Sequence, residues 1–344
     1  MDKIDLVSLS RQELEDWVID IGEKSFRASQ LWSWIYQRGT DDFSAMTNIA
    51  KTFRTRLEQV AVIGTLKLAD ETISSSGTRK FLFQLEDGYS IESVYIPESR
   101  RRTVCLSTQV GCTLGCRFCA TGTLGFNRNL TASEIVGQLL SIRRMVGEKP
   151  TNIVVMGMGE PLLNYDPVIK ALQIINHRDG LAIGHRKITI STAGMVPQIR
   201  RYTREKHPFR LAVSLNATTD TLRSQLMPVN RKYALKDLLQ AVREYTQTSR
   251  KRVTFEYVLL EGINDSLEDA GRLISLLRGI PCKVNLIAYN ATSPQFRRPS
   301  EDRIAAFAET IRPLCAPVTL RLSRGDDING ACGQLAARQL NMSS

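Results

Sequence analysis

The sequence predicts an α/β protein: a parallel sheet flanked by helices, preceded by a small helical unit and a β-hairpin. Three observations predict it. Strand-like and helix-like stretches alternate regularly beyond residue 99, the pattern of a parallel sheet with crossover helices. The first sixty or so residues carry helical periodicity alone. Between the two regions, an Asp87-Gly88 pair separates two β-patterned runs. The expected division is a helical accessory domain over 1–78, a linking hairpin over 79–98 and the core domain over 99–344.

Ser10 and Glu13 make a capping box, Leu14, Trp17, Val18 and Ile21 share one helical face, and Gly22 supplies the stop. A second helix is expected over 27–38, with Leu31, Trp34 and Ile35 inward and Gly39 ending it. A third, over 48–59, carries Phe53 and Leu57. In the hairpin, Glu92 shares parity with Val94 and Ile96, which puts a carboxylate on an apolar face. Such a group serves as a base or as half of a structural salt bridge.

Core strands are expected over 103–109, 152–157, 187–192, 209–215, 252–260 and 283–289, with 318–323 as a late addition. Helices are expected between them over 133–146 after Thr131, 167–176, 196–204, 235–246, 267–278 and 301–311. The sheet is either open and doubly wound or curved toward a barrel, and its carboxyl edge is where such folds place chemistry. Polar and glycine-rich segments follow the strands. They include Gly157-Met158-Gly159-Glu160-Pro161, where one carboxylate can hold an ammonium group, then Ser191 to Gly194, Ser214-Leu215-Asn216 and Asn290.

The first core strand runs into the most informative stretch of the chain. Cys112, Cys116 and Cys119 form a C-x3-C-x2-C run, three of the chain's seven cysteines within eight residues. Three thiolates at this spacing can hold three irons of a 4Fe-4S cube and leave the fourth open to a cofactor or substrate. A structural zinc in an RNA-binding protein is the alternative, but zinc wants four ligands, usually from paired Cys or His. His177, His185 and His207 lie far downstream, and Cys282, Cys315 and Cys332 stand singly.

Composition narrows the setting. The 344 residues are 42% hydrophobic, as in a globular protein, and no apolar stretch is long enough to span a bilayer. An odd number of clustered cysteines suits a reducing compartment, so a cytoplasmic protein is expected, with no membrane partner. The net charge of +11 comes from short groups such as Arg100 to Arg102, Arg143-Arg144 and Arg250 to Arg252. Phosphate-rich partners are the simplest reason for a broad basic surface, and Arg128 with the clustered arginines are candidates to line an RNA path. No extended dimer motif appears, so a monomer is expected.

Longer segments carry a resemblance. The cysteine run followed by GFNRNLTASEIVGQ, the GMGEPLLN segment, LMPVNRKY and the terminal SRGDDINGACGQL together resemble the RlmN/Cfr family of radical S-adenosylmethionine (SAM) RNA methyltransferases, over nearly the whole chain. The resemblance implies a partial (β/α)6 radical SAM barrel with a small N-terminal accessory domain. It implies a 4Fe-4S cluster on Cys112, Cys116 and Cys119, and SAM held by Gly159, Glu160, Ser191, Ser214, Leu215, Asn216 and Asn290. By the same carry-over Cys332 is the methyl-carrying cysteine, Cys105 its partner thiol and Glu92 the catalytic glutamate.

The implied reaction is methylation of adenine C2 in 23S rRNA and tRNA, fed by an electron donor such as flavodoxin or ferredoxin. Methylation at C8 is the alternative within the family. Adenine C2 is an electron-poor amidine carbon and cannot attack a methyl sulfonium, whereas a thiolate can. Cys332 would take the methyl from one SAM, and a second SAM would supply the radical that activates it. The methylene carbon would then bond to C2, and Cys105 would attack Cys332 to form a disulfide and release the RNA. Cys282 and Cys315 have no motif around them and are expected to be structural.

Overall fold

The computed structural model describes residues 3–314, 317–321 and 324–336. Cys315 and the last two residues of the strand expected over 318–323 lie outside them.

The N-terminal helices form where their caps predict. Ser10 N donates to Glu13 at 2.6 Å and Glu13 N donates back to Ser10 Oγ at 3.3 Å, which starts the helix Arg11–Asp20. The second helix differs from expectation. It is α-helical over Phe26–Trp32, then widens to a π-helix over Ser33–Arg38 before Gly39 ends it in the left-handed region. Arg143 from the core donates to the Tyr36 and Gln37 carbonyls at 2.6 and 2.5 Å, satisfying groups that the widened turn releases. The third helix is Lys51–Val60, and two short strands, Ile4–Asp5 and Ala61–Val62, pair in parallel to close the unit.

The main sheet has ten strands, numbered in chain order: β1 Lys67–Ile73, β2 Arg79–Gln84, β3 Ser90–Glu98, β4 Arg101–Cys105, β5 Asn152–Val155, β6 Ile188–Thr192, β7 Arg210–Ser214, β8 Val253–Leu259, β9 Cys282–Ala288 and β10 Val318–Arg321. Their order across the sheet is their order in the chain. β1 to β4 form an antiparallel meander, and β4 to β10 are parallel throughout. Six strand-and-helix units run from β4 to the helix Glu301–Ile311, and β10 follows.

The hairpin expected as a linker is therefore the antiparallel part of the sheet itself. β1 was not expected at all: its KLADETI sequence is too polar for a buried strand, and it forms because it is an edge pairing with β2. The strand expected over 103–109 stops at Cys105. Gln138 accepts from Ser107 N at 2.8 Å and donates to Ser107 O at 3.0 Å, taking the groups that would continue the ladder.

The sheet curls. Arg321 at the end of β10 reaches the Met156 sulfur just past β5, at 3.9 Å, although five strand spacings separate them. A flat sheet would put those strands about 24 Å apart. β1 and β10 do not pair, so the barrel stays open. The segment after β10 straps the gap: Asp327 accepts from Ser74 Oγ at 2.7 Å and Ser75 N at 3.1 Å, and Arg324 donates to Pro97 O at 3.0 Å. No helix among the described residues is long and apolar enough to cross a membrane.

Candidate active site

The cysteine run is the loop of a short antiparallel hairpin. Gln109–Gly111 pairs with Phe126–Asn129, and Cys112 N donates to Gly125 O at 2.7 Å. Gly111 makes this possible: its φ is 75°, and a Cβ there would lie 1.9 Å from Gly125 O. Within the loop, Cys119 N donates to Cys116 O at 3.1 Å, which turns the chain so that all three thiols line one cavity. Burial raises all three, Cys112 to about 12. Thiols so held ionise when they bind a metal, whose charge replaces the missing water.

The strand ends expected to bind a cofactor converge on the same cavity, of about 170 Å³: Gly159, Glu160, Ser191, Ser214, Asn216 and Asn290 all line it. Gly159 has φ 100°, and a Cβ on it would meet Gln109 Cβ at 2.6 Å, so this loop packs directly on the base of the cysteine hairpin. Glu160 is 2% exposed. Burial pushes its carboxyl up to about 7 even though Ala193 N and Leu162 N donate to it at 2.7 and 3.1 Å.

Leu215 differs from its neighbours. Its side chain is buried in the core, away from the cavity lining, and its carbonyl accepts from Arg223 Nε at 3.0 Å. Asn216, in the left-handed region at φ 57°, spends its amide oxygen on Val258 N at 2.9 Å. Asn290 Nδ2 donates to Cys332 O at 3.1 Å, while its Oδ1 is buried with no partner among the described residues. An orphaned acceptor facing three thiols and a buried carboxyl is what a pocket for an ammonium-bearing cofactor beside an iron–sulfur cluster requires.

A closed zinc site usually takes four ligands from paired Cys or His, and none of the residues lining the cavity with the three cysteines is a histidine. His177 packs on Trp32, and His207 packs on Tyr202 and contacts Glu205, away from the thiols.

A second cavity of about 500 Å³ lies behind the first, within the ~300–1,000 Å³ range of small-molecule pockets. Cys105 lines it, Cys332 and Cys119 line both cavities, and so do Glu256, Asn290 and Arg321. Burial pushes the Cys105 thiol up to about 12, Cys332 adds to this and Arg321 opposes it. The Cys332 segment is fastened to the cysteine loop: Ala120 N donates to Gly333 O at 2.7 Å and Thr121 Oγ1 to Leu335 O at 2.6 Å.

Glu92 lines neither cavity. It is 5% exposed, pairs with Lys80 Nζ at 3.1 Å and accepts from Ala336 N at 2.7 Å. Glu92 thus makes the salt bridge its setting allows, and its carboxylate also anchors the segment that carries Cys332. Arg128 is ion-paired as well, with Glu134 at 2.8 Å and with Asp87.

Two arginines escaped the sequence reading. Arg223, fully buried, donates to the carbonyls of Leu215, Ala193 at 2.6 Å and Ser214 at 3.1 Å, tying together the ends of β6 and β7. In sequence it is one of many helical arginines. Arg223→Met should leave these carbonyls unpaired and cost about 2–5 kcal/mol, read as a lower denaturation midpoint with unchanged slope. In sequence Arg321 shares the polar parity of its strand with Thr319, opposite to Val318 and Leu320, and so reads as an ordinary surface cation.

The matches to known families follow this geometry. Residues 4–63 match the Ribosomal RNA large subunit methyltransferase N-terminal domain, and residues 106–274 match the Radical SAM superfamily. The chain is 48% identical to the dual-specificity RNA methyltransferase RlmN of Syntrophobacter fumaroxidans, covering 98% of this chain and 99% of that one. It is 50% identical to the RlmN of Geobacter sulfurreducens, covering 97% of this chain and 92% of that one. The crystal structure of a radical SAM methyltransferase from Sphaerobacter thermophilus matches with a TM-score of 0.93 at 44% identity, over 97% of this chain and 100% of that one. The chain therefore belongs to the RlmN family, SAM-dependent RNA methyltransferases of the radical SAM superfamily that work with a 4Fe-4S cluster.

Proposed function

We propose that the protein methylates C2 of adenosine in 23S rRNA and tRNA, with Cys332 as methyl carrier and Cys105 as release thiol. The observation that carries this reading is the position of Cys332, which lines both cavities, with the three-cysteine loop at one and Cys105 at the other. Cys112, Cys116 and Cys119 would hold the cluster, and Glu160 with Asn290 would take the amino end of SAM. When bound and reduced by a donor such as flavodoxin or ferredoxin, these cofactors supply a radical that removes hydrogen from an S-methyl group.

The residues of the chain do the rest. Cys332 accepts a methyl from one SAM as a thiolate, and a second SAM is consumed in activating it. The activated carbon bonds to C2 and joins the RNA covalently to Cys332. Once the adduct has given up one electron, which the bound cluster would take back, and the C2 proton has left, Cys105 attacks the Cys332 sulfur; the bond from that sulfur to the transferred carbon breaks, a disulfide forms, and the freed carbon takes a proton to become the methyl group of the RNA. Glu92 holds the Cys332 segment in register through Ala336 N.

Glu160 gives a test of the cofactor end. Its carboxyl must ionise to pair with an ammonium group, so SAM affinity should rise with pH from about 6 to about 8. Glu160→Gln should weaken SAM binding about ten- to a hundredfold and flatten that dependence, as measured by equilibrium dialysis. The function itself is tested by methylating 23S rRNA and tRNA separately in vitro and identifying the modified nucleoside. The result expected from each is 2-methyladenosine. Finding 8-methyladenosine, or no label in RNA, would overturn the proposal.

A further inference from the structure

Two charged side chains of the second cavity have no part in the chemistry above. Glu256 on β8 is fixed by a row of hydrogen bonds across three strands: Thr319 Oγ1 donates to Asn285 Oδ1 at 2.9 Å, and Asn285 Nδ2 to Glu256 Oε2 at 2.7 Å. The row follows the sheet register, with Glu256 opposite Asn285 and Asn285 opposite Thr319. Its other oxygen, Oε1, takes no part in this row.

Arg321 lies two residues along β10 from Thr319, on the same face. Its guanidinium interacts with Cys332, Glu256 and Cys105. Among the described residues its hydrogen-bond partner is the Met156 sulfur at 3.9 Å, a weak acceptor. Arg321 is only partly buried, so the donors that Met156 does not take are open to a ligand in the cavity. Both side chains line both cavities, and among the described residues Arg321 is the only basic one lining the first. The site therefore presents a guanidinium and a carboxylate, each with hydrogen-bonding capacity to spare, beside Cys332.

We propose that Arg321 and Glu256 read the amidine edge of the target adenine, Arg321 donating to N1 and Glu256 accepting from the exocyclic amino group. The inference rests on the adenine-C2 reading of this site. N1 is bonded directly to C2, so a donor that takes N1 next to Cys332 brings C2 against the carbon the cysteine carries. An extruded base offers this edge to a pocket. The same hydrogen bond draws electron density from C2 and strengthens as charge builds on N1 during addition, so Arg321 aids the bond-forming step as well as recognition.

The test is a cycle between protein and substrate. Stem-loop RNAs carry adenosine, 1-deazaadenosine (C–H in place of N1) or 7-deazaadenosine at the target position, and their dissociation constants are measured on the cluster-bearing protein without reductant. The native protein should bind the 1-deaza RNA about ten- to a hundredfold more weakly and the 7-deaza RNA as well as adenosine. Arg321→Met should weaken adenosine RNA by a similar factor and the 1-deaza RNA no further, with Arg321→Lys between. Equal affinity for adenosine and 1-deazaadenosine, or losses that multiply when variant and analogue are combined, would overturn the inference. If Arg321→Met does not fold, the analogues on the native protein still decide. Failure of the C2 reading shows separately, as 8-methyladenosine or unmethylated adenosine RNA once reductant is added.

Discussion

Cys105→Ala is expected to accumulate RNA bound covalently to Cys332, and product release should fall at least about a hundredfold. The cause is geometric. Among the described residues Cys105 is the one thiol outside the cysteine run that lines the second cavity with Cys332, the place from which the proposed release step needs an attack. Burial pushes its thiol up to about 12, well above its ordinary value, so at neutral pH it stands as the thiol. Its attack must therefore be coupled to proton removal. The adduct should appear as a slow band on a denaturing gel that ribonuclease collapses, and unimpaired turnover would contradict the release role.

Cys332→Ala should abolish RNA methylation, a fall of at least about a thousandfold, because a thiolate is required to take the methyl group. The site around it should survive. Asn290 bonds the backbone carbonyl of residue 332, and Gly333 and Leu335 tie the segment to the cysteine loop through carbonyls. None of these contacts needs the sulfur. Iron content and the visible absorption of the cluster should match the native protein, and the denaturation midpoint should barely move. Methyl-labelled SAM should leave label on the native Cys332 peptide and none on the variant's.

Much of the framework was legible because local signals agree with the fold. The capping box at Ser10 starts a helix where it predicts, and the helix expected after Thr131 begins at Ala132; the polar strand ends from Gly159 to Asn290 meet at one cavity because parallel strands share a carboxyl edge. What escaped depends on contacts distant in sequence. β1 is a strand because β2 lies beside it, the π-turn exists because Arg143 reaches in from the core, and Arg223 is buried because three carbonyls await it. Leu215 shows the limit of motif reading: it sits between two cavity residues, yet the alternation of the strand end turns it into the core. Glu92 shows another, since its pairing with Lys80 follows from the register of β2 with β3.

The central claim, that the methyl carbon passes through Cys332 before reaching adenine C2, is tested most directly by isotopes. RNA is methylated with SAM bearing a trideuterated methyl group, and the released nucleosides are weighed by mass spectrometry. Transfer by way of an activated S-methyl predicts 2-methyladenosine that has lost one deuterium to the hydrogen-abstraction step. A product that keeps the whole trideuterated methyl group would mean direct polar transfer to the base and would contradict the account.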